Sequence, residues 1–341
     1  MSRVPSSAET SITNPGADWQ AYENPAAAGF SEKKLEAVRA VAASQATDML
    51  LVIRHGKVVL SICDAGQKFL CHSMRKSFLA ALIGFEVEEG RIDLSATLES
   101  LDIDDRQRLS AVERQATIYD LLTARSGIYH PAGYETPWMR MIKERRHSHA
   151  PGTFWCYNNW DFNALGTIFE KLTGESVHQS FLRRIAGPIG MQDFTIDGEK
   201  PDGWHESFQI SEHRAYPFRM SSRDLARFGQ LYLQNGVWNG SAVLPAGWAQ
   251  ECVLPYSHAG ALGGYGYMWW LEREGVFLPG VITPKGSYAA NGAGGHYCLV
   301  MPALDMVVIH RVDTEKEGRY VTRFGVGKLL RHLLAALDDT S

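Results

Sequence analysis

The chain has 341 residues, 45% of them hydrophobic and 21% charged, ordinary usage for a folded protein with a large core and neither a disordered nor a membrane composition. Its 34 basic and 38 acidic residues leave a net charge of −4, which offers no footprint for nucleic acid or an anionic membrane surface. The longest apolar runs, 78–85 and 297–309, are too short or too interrupted to span a bilayer, and the N-terminus lacks the apolar core of a secretion signal. Five scattered cysteines form no Cys-x-x-Cys pair, so a cytoplasmic protein with reduced thiols is expected.

Residues 1 to about 28, rich in Ser, Pro, Ala, Asn and Gly, read as an extended, partly mobile arm, with 1–17 outside the folded regions. Ser31 caps an amphipathic helix with apolar positions at Leu35, Val38, Val41 and Ala42. The runs 49–53 and 57–62 around His55-Gly56 predict a strand hairpin. A helix opened by Ser73 and Lys76 runs through a nearly continuous apolar stretch, 78–85, to a C-cap at Gly90. A second helix is expected from a Thr117 cap to a stop at Gly127. Segment 129–152, with its aromatics, prolines and methionines, reads as either a lid over a pocket or a core-packing insertion. Further helices are expected from about Trp160 to Gly174, near Phe181–Ile185, and from a Ser221 cap to Asn235-Gly236.

From Tyr265 the texture changes. Segments 265–271, 276–278, 296–301 and 306–311 are β-prone and parted by Gly and Pro, and a last helix, Val321 to Leu337, carries an apolar stripe. The resulting expectation is an α+β sandwich. Its antiparallel sheet is assembled from both ends of the chain, 18–70 plus 265–341, flanked by helices, with a mainly helical region, 71–264, inserted between.

Ser73 and Lys76 are the chemical oddity. Three residues of helix turn the chain roughly 300° and raise it about 4.5 Å, so both side chains share a face within reach of each other. A lysine in an apolar helix loses hydration, its pKa falls, and it can take a proton from a neighbouring hydroxyl. The Ser73 amide at the helix start would favour a developing oxyanion. The plainer alternative is a Ser73 N-cap with Lys76 reaching out to solvent.

Ser73-Met-Arg-Lys76, then Tyr157-Asn-Asn159, then a Gly-rich turn at Asn291-Gly-Ala-Gly-Gly before a strand resemble the serine β-lactamase and penicillin-recognising superfamily. The branch they resemble is the class C-like one, with its esterase, aminopeptidase and 6-aminohexanoate-oligomer hydrolase relatives. Leu121-Leu-Thr-Ala-Arg-Ser-Gly-Ile, Ser222-Arg-Asp-Leu-Ala-Arg-Phe-Gly and Gly294-Gly-His-Tyr-Cys-Leu-Val-Met-Pro302 add to the likeness, which spans about 18–337. It implies a β-lactamase/transpeptidase-like fold and an acyl-enzyme on Ser73. Lys76 and Tyr157 would relay the proton, with the choice of base open between them. Asn159 would bond Lys76 or the substrate amide.

The departure is at the third element. No Lys-[Ser/Thr]-Gly occurs, and counting back from Pro302 places Ala290-Asn291-Gly292 or its neighbours there, with an N–H near Ala293 as second oxyanion donor. His296 either lines the pocket or packs beside it. Without that lysine, the resemblance implies a hydrolase of small esters or amides rather than an efficient β-lactamase. An acyltransferase using the same intermediate and a non-catalytic binding protein are the alternatives. No cofactor or metal is expected, nor any nucleic-acid or membrane partner, and the oligomeric state is not legible. His147-Ser-His149 reads as a solvated loop and the glycines of 260–266 as turn residues.

Overall fold

A computed structural model describes residues 14–338. After Ser31, whose hydroxyl accepts from the Lys34 amide, α1 (Glu32–Ala43) buries Leu35, Val38, Val41 and Ala42. The hairpin β1 (Met49–Arg54) and β2 (Lys57–Ile62) turns at His55-Gly56, both at positive φ. The short β3 (Lys68–Leu70) leads into a 3-10 turn, His72–Met74, and the apolar α2 (Arg75–Glu88). Gly90, at φ 71, follows the end of α2 as expected.

The middle of the chain is helical: α3 (Ile118–Leu122), α4 (Pro137–Ile142), α5 (Asn159–Thr173) and α6 (Val177–Phe181) precede a short strand, β4 (Arg219–Ser221), and α7 (Ser222–Leu233). α3 is shorter than expected: Ala124 at φ 55 turns the chain before Gly127 is reached. Next come β5 (Val237–Trp238), β6 (Ser241–Ala242), α8 (Trp248–Cys252) and β7 (Ser257–His258). The run expected as one strand at 265–271 is instead a tight hairpin of β8 (Gly264–Tyr265) and β9 (Trp270–Leu271), because Met268 sits at φ 59. Residues 276–278 form no strand and contribute only an isolated bridge, Arg273 to Val276. The chain closes with β10 (Tyr288–Gly292), β11 (His296–Met301), β12 (Met306–Arg311) and α9 (Arg323–Ala335).

Eight strands form one antiparallel sheet in the order β2-β1-β12-β11-β10-β9-β8-β7, so the two ends of the chain meet where β1 pairs with β12. α1 and α9 pack together, and α7 lies against β11, β12 and β1. A Cβ on Gly229 would come 2.7 Å from Val307 and 2.8 Å from Cys298, so glycine is what lets α7 approach the sheet this closely. The architecture is the expected α+β one, an antiparallel sheet drawing on both chain ends and covered by helices.

The arm expected at the N-terminus differs from the structure where it is described; residues 1–13 lie outside the described residues. Arg227, almost fully buried, donates to the carbonyls of Gly16 and Ala17 at 2.7 and 2.6 Å. Trp19 Nε1 donates to the Arg223 carbonyl and the Tyr22 amide to that of Val58. A buried guanidinium needs acceptors, and the arm supplies them. Among the described residues, no helix is long and apolar enough to cross a membrane.

Candidate active site

Ser73 stands in the 3-10 turn just ahead of α2. The turn is held by the Cys71 amide donating to the Phe218 carbonyl at 2.8 Å and by the Met74 amide donating to Cys71. α2 is anchored below it by Phe78, whose ring packs within 5.3 Å of those of Phe181, Phe218 and Phe228. Lys76, one turn on, is 1% exposed, and its Nζ lies 2.9 Å from Ser73 Oγ and 2.6 Å from the Tyr157 phenol oxygen. The three groups expected from sequence are therefore in hydrogen-bond contact.

The surroundings of this trio disfavour charge. Burial, reinforced by the neighbouring Arg75 guanidinium, drives the Lys76 pKa well below its ordinary value. Burial pushes the Tyr157 phenol far above the usual tyrosine range. The Lys76 ammonium position also lies 4.4 and 4.5 Å from the ring centres of Tyr157 and Phe162, faces that would stabilise it when protonated. Arg75 is itself buried, donating to Asn163 Oδ1 at 2.8 Å and stacking 4.1 Å over Tyr216.

Tyr157 precedes α5, whose N-cap, Asn158, accepts from the amides of Trp160 and Asp161. That cap holds the Tyr157 ring among Phe162, Tyr265 and Trp270. Asn159, the next residue of the motif, does not reach Lys76. As the first residue of α5 it donates to the Gly133 carbonyl at 3.0 Å, and its own Oδ1 is buried with no partner among the described residues.

Asn291, Gly292 and Ala293, at the end of β10, share a cavity of about 420 Å³ with Ser73 and Tyr157. A Cβ on Gly292 would stand 2.7 Å from the Cys71 carbonyl, so the missing side chain lets β10 approach the nucleophile turn. His296 pairs with Gly292 across β10 and β11 and lies on the same side as that missing side chain, behind the nucleophile turn and fully buried. It therefore packs beside the cavity and does not line it. The expectation of a substrate contact there is corrected to a contact with Arg311 and Thr314.

Sequence reading did not single out Leu262, Trp270, Tyr297 or Arg323, which also line the cavity. Trp138 and Met139 of segment 129–152 line it too, while Tyr129 of the same segment is buried, so the segment both covers the cavity and packs into the core. Arg323, the first residue of α9, brings a cation to the wall and donates to the Phe277 carbonyl. A wider, shallower groove of about 800 Å³ shares Leu262 and Arg323 but holds no nucleophile. Among the described residues, no group of three or more His, Cys, Asp or Glu is arranged to hold a metal ion.

An uncharacterized protein of Alkalihalophilus pseudofirmus is 21% identical to this chain, covering 72% of it and 74% of the relative's own length. A Bacillus anthracis protein assigned as a 6-aminohexanoate-dimer hydrolase superposes with a TM-score of 0.65 at 20% identity, covering 87% of this chain and 81% of its own. EstCE1, a hydrolase with promiscuous acyltransferase activity, superposes with a TM-score of 0.63 at 16% identity, covering 89% and 97%. These likenesses extend the fold assignment to β-lactamase/transpeptidase-like architecture. The Beta-lactamase family profile matches residues 34–323, most of the chain and every residue of the Ser73, Lys76 and Tyr157 cluster, and the chain belongs to that family.

Proposed function

We propose that the protein is a serine hydrolase that acylates Ser73 with a small carboxylic ester or amide and releases the acid to water. The observation that carries this reading is the placement of Lys76 Nζ between Ser73 Oγ and the Tyr157 phenol, two groups of residues that line the cavity. In this reading Ser73 Oγ attacks the acyl carbonyl and its proton passes to Lys76, which burial and Arg75 bias toward the neutral amine. Tyr157, biased toward the neutral phenol, donates toward the leaving group and is reprotonated from Lys76. The amides of Ser73 and Ala293, two residues that line the cavity, serve as the oxyanion donors in this reading. Water then attacks the acyl-enzyme along the reverse proton path, and the acid leaves.

Asn291 and Gly292 stand where a lysine-bearing element is absent, which favours a substrate without the demand of a β-lactam carboxylate for that lysine. The aromatic walls from Trp138, Trp270 and Tyr297 suit an apolar acyl or leaving group. Incubation with a fluorophosphonate probe should give an adduct on a peptide containing Ser73. Undiminished ester turnover by Ser73→Ala would sink the mechanism. A panel of short esters, linear amides, D-amino-acid amides and a chromogenic β-lactam, run with and without alcohol acceptors, assigns the acyl group. It also separates hydrolysis from acyl transfer, the second reading that the apolar cavity walls favour.

A further inference from the structure

His72, immediately before the nucleophile, has φ 48, in the left-handed region that residues other than glycine adopt uncommonly. Its Nε2 lies 2.7 Å from Thr314 Oγ1, which lies 3.4 Å from Nε2 of His296. Arg311 Nε donates to His296 Nδ1 at 3.0 Å, while the rest of its guanidinium donates to the carbonyls of Met220 and Phe69. Arginine chemistry sets the direction at one end of this chain. Arginine only donates, so His296 Nδ1 is the acceptor and its proton sits on Nε2, facing the Thr314 oxygen. With its oxygen accepting there, the Thr314 hydroxyl has its own hydrogen available for His72 Nε2, an arrangement that puts the His72 proton on Nδ1.

Arg311 and His296 are fully buried, and the His72 and His296 rings lie 5.0 Å apart. Burial and the Arg311 charge lower the pKa of His72 to about 4, which leaves both rings in the neutral forms the chain requires. The strand that carries His296 pairs with Gly292, and Gly292 abuts the Cys71 carbonyl. The same chain of bonds thus ties the nucleophile turn to the third-element strand.

We propose that Arg311, His296 and Thr314 are positioning residues for Ser73, a one-way hydrogen-bond chain that holds His72 left-handed and so aims the amide and hydroxyl of the next residue into the cavity. The inference rests on the reading of Ser73 as nucleophile. A hydroxyl-to-methyl change at Thr314 interrupts the chain at a half-buried position where folding should survive.

In ¹⁵N-histidine NMR of the wild-type protein at pH 7, His72 should carry its proton on Nδ1 and His296 on Nε2. Thr314→Val should abolish the single tautomer at His72. It should also slow acylation by a fluorophosphonate and by p-nitrophenyl acetate roughly 10- to 100-fold, in kcat rather than KM. Glycine adopts positive φ unaided, so in a His72→Gly background adding Thr314→Val should change the acylation rate little. Wild-type acylation rates in the Thr314→Val variant, an equal further loss in the His72→Gly background, or the opposite tautomer at either ring overturns the proposal while leaving Ser73 as nucleophile. Absence of any Ser73 adduct in the wild-type protein overturns the hydrolase reading and this role with it.

Discussion

The central quantity at residue scale is the protonation state of a lysine that touches two hydroxyls. Ser73→Ala is expected to cut turnover of an activated ester by about 10⁴-fold or more in a steady-state assay, since nucleophile loss leaves only binding and oxyanion contributions. Tyr157→Phe keeps the ring among its aromatic neighbours and removes the phenol. It should cost about 10²- to 10⁴-fold in kcat, with KM little changed. Lys76→Met should abolish activity yet stabilise the fold near neutrality. The folded-state pKa of Lys76 is lowered, so between that value and the ordinary value of 10.5 the unfolded chain binds the extra proton, and stability rises with pH. The melting temperature of Lys76→Met should therefore exceed that of the wild type at pH 7 by roughly 2 °C, with the gap closing as pH approaches the ordinary lysine value. A gap that widens with pH would contradict the assignment of a neutral amine.

At the scale of elements, the local signals were strong where caps and periodicity agree. Ser31 with its apolar stripe, and Ser221 ahead of α7, read correctly because capping and amphipathicity depend on residues a few positions apart. The run 265–271 misled because aromatic residues favour strands in general, whereas Met268 at φ 59 folds that run back on itself. Two element-level predictions follow from close contacts. Gly292→Ala puts a Cβ against the Cys71 backbone, so β10 or the nucleophile turn must move. A loss of about 1–3 kcal/mol in urea denaturation is expected, with a larger fall in acylation rate than in stability. Asp161, on the first turn of α5 and fully buried, accepts from Ser126 Oγ at 2.5 Å while its other oxygen has no partner among the described residues. Burial raises its pKa to about 8 from 3.8. The folded state therefore holds a proton that the unfolded chain has released, and stability falls as pH rises between those values. Asp161→Asn should match the wild type near pH 4 and become progressively more stable than it up to about pH 8, as thermal melts at stepped pH would record.

For the whole molecule, the N-terminal segment is the clearest departure from what composition suggests. Its carbonyls at Gly16 and Ala17 satisfy the buried Arg227 of α7, and Trp19 bonds the same helix. Deleting residues 1–21 should lower the urea unfolding free energy by about 1–3 kcal/mol, the scale of leaving a buried charged donor without acceptors. An unchanged midpoint would mean that water replaces those carbonyls.

The sequence by itself put Ser73 and Lys76 within reach of each other, since helical geometry fixes a three-residue spacing, and its ordered motifs pointed to Tyr157, the third-element strand and the family; that Lys76 turns inward to make the contact is a matter of the fold. Tertiary structure alone decided that Asn159 turns to Gly133, that His296 backs the nucleophile turn, and that Trp270 and Arg323 wall the cavity. It also decided the bias of Tyr157 toward the neutral phenol, and it buried Arg75 beside the Lys76 whose lowered pKa the apolar helix implied. Each of these depends on desolvation or on partners some tens to hundreds of residues away along the chain, and local spacing carries no record of either.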